Sequence, residues 1–140
     1  MEKKLNILFV SATIPYPAID GGRIRVLSLI QNLSRYNNIT FLTYNSSDKD
    51  EQNIKYLRDI GINILDVKFN YNKTLSNIMA ISRQVFKGKP FTTAKYYSNN
   101  MVKKINELLK DNSFDILHLE MLHTGQYITE IQNRHNTKIF

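Results

Sequence analysis

A chain of 140 residues with 42% hydrophobic and 22% charged side chains is sized for one domain with a real core. It has no cysteine, which excludes structural disulfides, iron–sulfur clusters, thiolate zinc sites and a cysteine nucleophile. The formal charge of +7 is unevenly spread: Lys68, Lys73, Arg83, Lys87, Lys89, Lys95, Lys103 and Lys104 run between Asp66 and Glu107 without one acid, which predicts a positive surface there.

Leu5, Ile7, Leu8, Phe9 and Val10 form a run too short for a helix and apolar on both faces. That is what a buried parallel strand requires, so residues 5–11 are the first predicted strand. The basic start lacks the long apolar region of a secretion signal, and no run approaches the roughly 18 to 20 residues needed to cross a bilayer. A cytosolic protein is expected. The chain then turns through Thr13-Ile14-Pro15-Tyr16-Pro17 and Asp20-Gly21-Gly22 into a helix over 22–36, with Val26, Leu27, Ile30 and Leu33 at helical spacing. Residues 39–44 are the second strand. Asp48, at the end of the loop Asn45-Ser46-Ser47-Asp48, reads as the N-cap of a helix carrying Ile54, Leu57 and Ile60, and Gly61 suits a left-handed C-cap. Residues 62–69 are the third strand. A helix over 74–87 keeps Leu75, Ile78, Met79, Ser82, Val85 and Phe86 on one face until Gly88-Lys89-Pro90 breaks it. Ser98 caps the next helix, with apolar positions Met101, Val102, Ile105, Leu108 and Leu109. Residues 114–119 are the fourth strand and 121–135 a helix. Lys138-Ile139-Phe140 starts a fifth strand, and because the chain ends inside it a fragment is expected.

Short apolar strands alternating with helices predict an α/β fold, a doubly wound parallel sheet with right-handed crossovers. The first three strands should run outward one way and the fourth start the other side. The switch point, where ligands collect at the C-terminal strand ends, then lies between the first and fourth strands. Gly21 and Gly22 sit there, at a helix N-terminus whose first N–H groups lack intrahelical partners and whose dipole is positive. Arg23 follows them as a phosphate or carboxylate partner. Arg25, about 200° away on the helical wheel, reads as a surface residue. Ser11 and Thr13 are possible hydroxyl donors in the same cleft. The plainer reading of the glycines is a turn needing positive φ or no Cβ. No third glycine completes a G-x-G-x-x-G interval, so a nicotinamide or flavin cofactor is not expected.

The fourth strand and its exit read Phe114-Asp115-Ile116-Leu117-His118-Leu119-Glu120-Met121-Leu122-His123. With a period of two, His118 and Glu120 share a side, and Glu120 lies at the C-terminal edge where a substrate reaches it. A carboxylate and a histidine there can hydrogen-bond sugar hydroxyls or take a proton from one. His123 falls in the following turn. The plain alternatives are a core histidine bonded to a carbonyl for His118 and a dipole-favouring acid for Glu120. His118, Glu120 and His123 lack a well-spaced further ligand, and no metal is expected. In the basic third, Phe69, Tyr71, Phe86, Phe91, Tyr96 and Tyr97 interleave the cations, but the rings sit where a core can take them and no nucleic-acid motif accompanies them. An anionic membrane surface is the better partner for that segment, and a merely solvated face the blander one.

Taken in order, these motifs resemble the N-terminal domain of a GT-B-fold, retaining glycosyltransferase of the family-4 type. The resemblance rests on the first strand with Pro15-Tyr16-Pro17 and Asp20-Gly21-Gly22-Arg23-Ile24-Arg25, and on Asp115-Ile116-Leu117-His118, similar to the family's Asp-x-x-His strand. Gly88-Lys89-Pro90 with Tyr96-Tyr97-Ser98 is similar to a subset of bacterial sugar transferases of polysaccharide assembly. It implies a Rossmann-like acceptor-side domain, with a glycan or lipid-linked acceptor, and a nucleotide-sugar donor held mostly by a second domain that these 140 residues do not contain. The implied roles are backbone contacts near the donor diphosphate for Gly21 and Gly22, charge assistance for Arg23, and acceptor or sugar contacts for His118, Glu120 or His123. Where many members read His-x-His, this chain reads His118-Leu119-Glu120, which leaves open whether Glu120 or His123 takes the second histidine's place. The enzyme rival is a GT-B nucleotide-sugar epimerase. The rival of another class is a flavodoxin-like module holding a phosphorylated ligand without catalysis.

Overall fold

The computed structural model describes residues 3–70, 75–86, 88, 90–132 and 136–140. Five parallel strands, β1 (Asn6–Ser11), β2 (Asn38–Asn45), β3 (Ile64–Lys68), β4 (Ile116–Glu120) and β5 (Lys138–Ile139), form one sheet in the order β3-β2-β1-β4-β5. Strand order reverses between β1 and β4, as expected. Both faces are covered. Ile7, Phe9, Ile39, Phe41 and Ile64 pack on Val26 and Ile30 of α1 (Gly21–Leu33) and on Ile54 and Leu57 of α2 (Asp48–Asp59). On the other face Leu8, Val10, Leu42, Tyr44, Val67 and Leu117 meet Met101, Ile105 and Leu109 of α5 (Asn99–Asp111), together with Tyr127. This two-sided burial is why β1 and β2 read as continuous apolar runs.

The caps follow side-chain chemistry. Ser98 Oγ accepts from the Met101 N–H, as predicted. At α2 the cap is Ser47, whose Oγ accepts from the Asp50 N–H, and Asp48 is instead the first helical residue. The smaller hydroxyl takes the cap while Asp48, Asp50 and Glu51 favour the positive end of the helix dipole. Gly61 holds the expected left-handed conformation, φ 89°.

Two stretches differ from the sequence reading. Between α3 (Leu75–Phe86) and α5 lies an extra short helix, α4 (Phe91–Ala94). The single helix expected over 121–135 is a short α6 (Met121–Gly125) and a 3-10 turn, Gln126–Glu130, with residues 133–135 outside those described. Met121 enters in the left-handed region, φ 67°, and the Thr124 hydroxyl donates to the carbonyls of Glu120 and Met121, competing with the helical ladder. Phe69, Tyr96 and Tyr97 pack against the core as expected, whereas Phe86 and Phe91 are exposed, and Tyr71 lies outside the described residues. Among the described residues no helix is long and apolar enough to cross a membrane.

Candidate functional site at the switch point

The ends of β1 and β4 lie side by side, with Ser11 in register with Glu120 and Phe9 with His118. Alternation along β4 turns Ile116, His118 and Glu120 toward α1, so the pair expected on one side is brought together there. Glu120 is 3% exposed, and both its oxygens are engaged: Oε1 accepts from the Arg25 guanidinium and Oε2 lies 3.1 Å from His118 Nε2. The His118 ring stacks on Phe9 with centroids 4.3 Å apart. A buried carboxylate requires such partners. Arg25, read from the wheel as a surface residue, keeps 57% of its side chain exposed yet holds the inner carboxylate with its guanidinium. Sequence reasoning missed this pairing; the available signal was an acid at an apolar strand end, which needs a cation from a neighbouring element.

Burial, and secondarily the Arg25 charge, hold the His118 pKa below its ordinary 6.5. A neutral ring with its proton on Nε2 donates to Glu120. His123 is not part of this cluster. Its ring tilts over Tyr96 at 4.4 Å, its buried Nδ1 has no hydrogen-bond partner, and burial followed by the Lys95 charge lowers its pKa as well. Among the described residues no group of three or more His, Asp or Glu side chains is placed to hold a metal ion. Asp115 stands at the opposite, N-terminal edge of the sheet, where its carboxylate accepts from the Asn6 N–H at 2.9 Å and the Lys3 ammonium at 3.2 Å. Those bonds keep its pKa low and tie β4 to β1.

A stability prediction follows from the two histidines. Their folded pKa values lie below the unfolded one, so at acidic pH the unfolded chain binds protons that the folded chain does not. Their contribution is complete above about pH 6.5 and is lost as pH falls through the folded values. The urea midpoint should drop between about pH 7.5 and pH 5, and a His118→Gln, His123→Gln double variant should flatten that slope.

The glycine loop leads into α1 with Gly21 and Gly22 as its first residues and the Tyr16–Pro17 peptide cis. Neither glycine has positive φ. A Cβ at Gly22 would lie 3.2 Å from Met121 Cε and 3.3 Å from Asp20 Oδ1, whereas one at Gly21 would meet nothing within 4 Å. Gly22 therefore admits the β4 exit close to α1, and Gly21 opens on free space. Asp20 caps the helix, its Oδ1 accepting from the Arg23 N–H at 2.9 Å, so a carboxylate of the chain already uses one donor of the expected anion site.

Arg23 stands between two clefts. One, of about 170 Å3, lies over β1 and β4 and includes Ser11, Thr13, Gly22 and Met121. The other, of about 340 Å3, lies over β1 and β2 and includes Thr13, Tyr16, Lys49, Asp50, Asn53 and Tyr96. The Arg23 Nε is buried without a hydrogen-bond partner, 3.5 Å from Asp20 Oδ2 as an ion pair only. Thr13 reaches both clefts, but the Ser11 hydroxyl is occupied, donating to the Thr13 carbonyl and accepting from its N–H. No protein-family model and no curated protein matches the chain.

Proposed function

We propose that this chain is the acceptor-binding domain of a retaining glycosyltransferase of bacterial polysaccharide assembly. The complete enzyme would move a sugar from a nucleotide-sugar to a glycan or lipid-linked acceptor. The observation that carries the reading is Arg23, whose buried Nε, without a hydrogen-bond partner, stands at the junction of the two clefts beside Gly21 and Gly22. The cleft over β1 and β2 offers a hydroxyl-rich ligand what it needs: an aromatic lining from Tyr16 and Tyr96, and carboxylate, amide and ammonium groups at Asp50, Asn53 and Lys49.

In this reading the acceptor occupies that cleft and the donor diphosphate approaches the N–H groups of Gly21 and Gly22, with Arg23 between them. Glu120 is a positioning residue, because its oxygens are taken by Arg25 and His118. The Asp20 cap favours this over a flavodoxin-like phosphate module. With one first-turn donor bonded to a carboxylate, the terminus suits a diphosphate held mainly by another domain better than a phosphate held alone.

Amide-resolved NMR titration of this chain tests the proposal. Oligosaccharides should shift Tyr16, Asn53 and Tyr96 with affinity on the order of millimolar, and a nucleoside diphosphate should shift residues 21–23 weakly. Tight nucleotide binding with no saccharide response would favour the binding module. Gly21→Ala should leave stability unchanged or raise it by up to about 1 kcal/mol while removing the diphosphate shifts. Retention of those shifts would rule out close backbone approach.

A further inference from the structure

The helix α3 turns an apolar face outward. Ile78, Met79, Val85 and Phe86 are all exposed, Phe86 by 92%. At 100° per residue these positions fall, with Ser82, within an arc of about 120°. Gln84, which is buried, points roughly the opposite way. The amphipathic period is therefore real, but its apolar side is not the side packed on the protein. Phe91, the first residue of α4, is also exposed.

What suits such a face is set by the charges around it. Arg83, in the last turn of α3, lies at the flank of the arc and is exposed. The cations from Lys68 to Lys104, with no acid among them, make this the part of the chain least suited to another basic surface. A second copy of this chain would bring the same basic segment and the same Arg83 toward each other. An amphipathic helix with exposed aromatic and aliphatic side chains and basic flanks instead matches the boundary between headgroups and acyl chains of an anionic bilayer.

We propose that α3 is a membrane-docking helix that lays Ile78, Met79, Val85 and Phe86 into the surface of an anionic bilayer, with Arg83 on the headgroups. The docking is independent of the transferase reading, since it concerns a different surface and needs no sugar ligand.

Co-sedimentation of this chain with vesicles tests it, comparing phosphatidylcholine alone with roughly one part phosphatidylglycerol in three. The chain should bind the anionic vesicles and not the neutral ones, with loss of binding at high salt. Met79→Ser with Phe86→Ser should weaken binding about tenfold, and Arg83→Glu by a similar factor. These side chains are exposed, so the variants should keep the parent circular dichroism and urea midpoint, and an R83K variant should restore binding. Absence of binding to either vesicle overturns the proposal, as does binding indifferent to lipid charge or to the paired serine substitutions. Self-association in lipid-free sedimentation that the paired substitutions abolish would assign the face to a second copy and overturn it equally.

Discussion

Replacing Phe9 with alanine should destabilise the fold by about 3 to 5 kcal/mol, measured as a fall in the urea midpoint at unchanged slope. Phe9 is fully buried on the central strand, and its ring stacks on Phe41 at 5.5 Å and on His118 at 4.3 Å. The loss is therefore not confined to the core. The ring is one wall of the pocket around His118, and burial is the main reason that histidine resists protonation. In Phe9→Ala, water reaches the imidazole and its pKa should rise toward 6.5, observable by NMR titration of the His118 ring signals. Phe9→Leu should keep most of the stability and show a smaller rise. A destabilised variant with an unmoved His118 titration would mean that the ring contributes packing alone.

The ion pair across the switch point should respond asymmetrically to its two ends. Arg25→Ala leaves the Glu120 carboxylate buried with only His118 beside it, and removing one partner of such a pair costs about 3 kcal/mol. Glu120→Gln leaves a guanidinium that is more than half exposed and hydrated, and retains an amide oxygen for it, so the loss should be about 1 kcal/mol. Arg25→Ala also removes a positive charge that disfavours protonation of His118 and frees a carboxylate toward its Nε2. The His118–Glu120 pair should then take up a proton at higher pH than in the parent chain. Equal losses in the two variants would indicate that Glu120 is better hydrated than its 3% exposure implies.

The parts of this fold that could be read in advance are those where local pattern and tertiary environment coincide. The runs Ile7–Val10 and Phe41–Tyr44 are largely apolar on both faces because helices cover both faces, so the strands and the order reversal beside β1 followed from these runs and their alternation with helical segments. The period of β4 likewise placed His118 and Glu120 together. What was hidden depends on contacts that local pattern does not encode. Arg25 meets Glu120 across 95 positions, and nothing in the wheel of α1 distinguishes that cation from a solvated one. The face of α3 has the right period, but period does not say whether an apolar stripe looks inward or outward. The helix predicted from 121 onward is an α-helix only as far as Gly125, where a side-chain hydroxyl, that of Thr124, and a backbone turn at Met121 that no propensity favours both compete with the helical ladder.

That turn constrains how the chain can vary over generations. Met121 holds a conformation that costs a non-glycine residue about 1 kcal/mol or more, and its thioether arm rests where a side chain at position 22 would begin. The two sites crowd one volume across 99 positions of sequence, so a Cβ at 22 requires the Met121 methyl to give way, and a smaller residue at 121 eases that contact. Valine or isoleucine at 121 would bring both branching strain and crowding. Glycine or asparagine there would relieve the backbone and make room for alanine opposite. Among natural variants of this chain, the sizes of residues 22 and 121 should rise and fall in opposition.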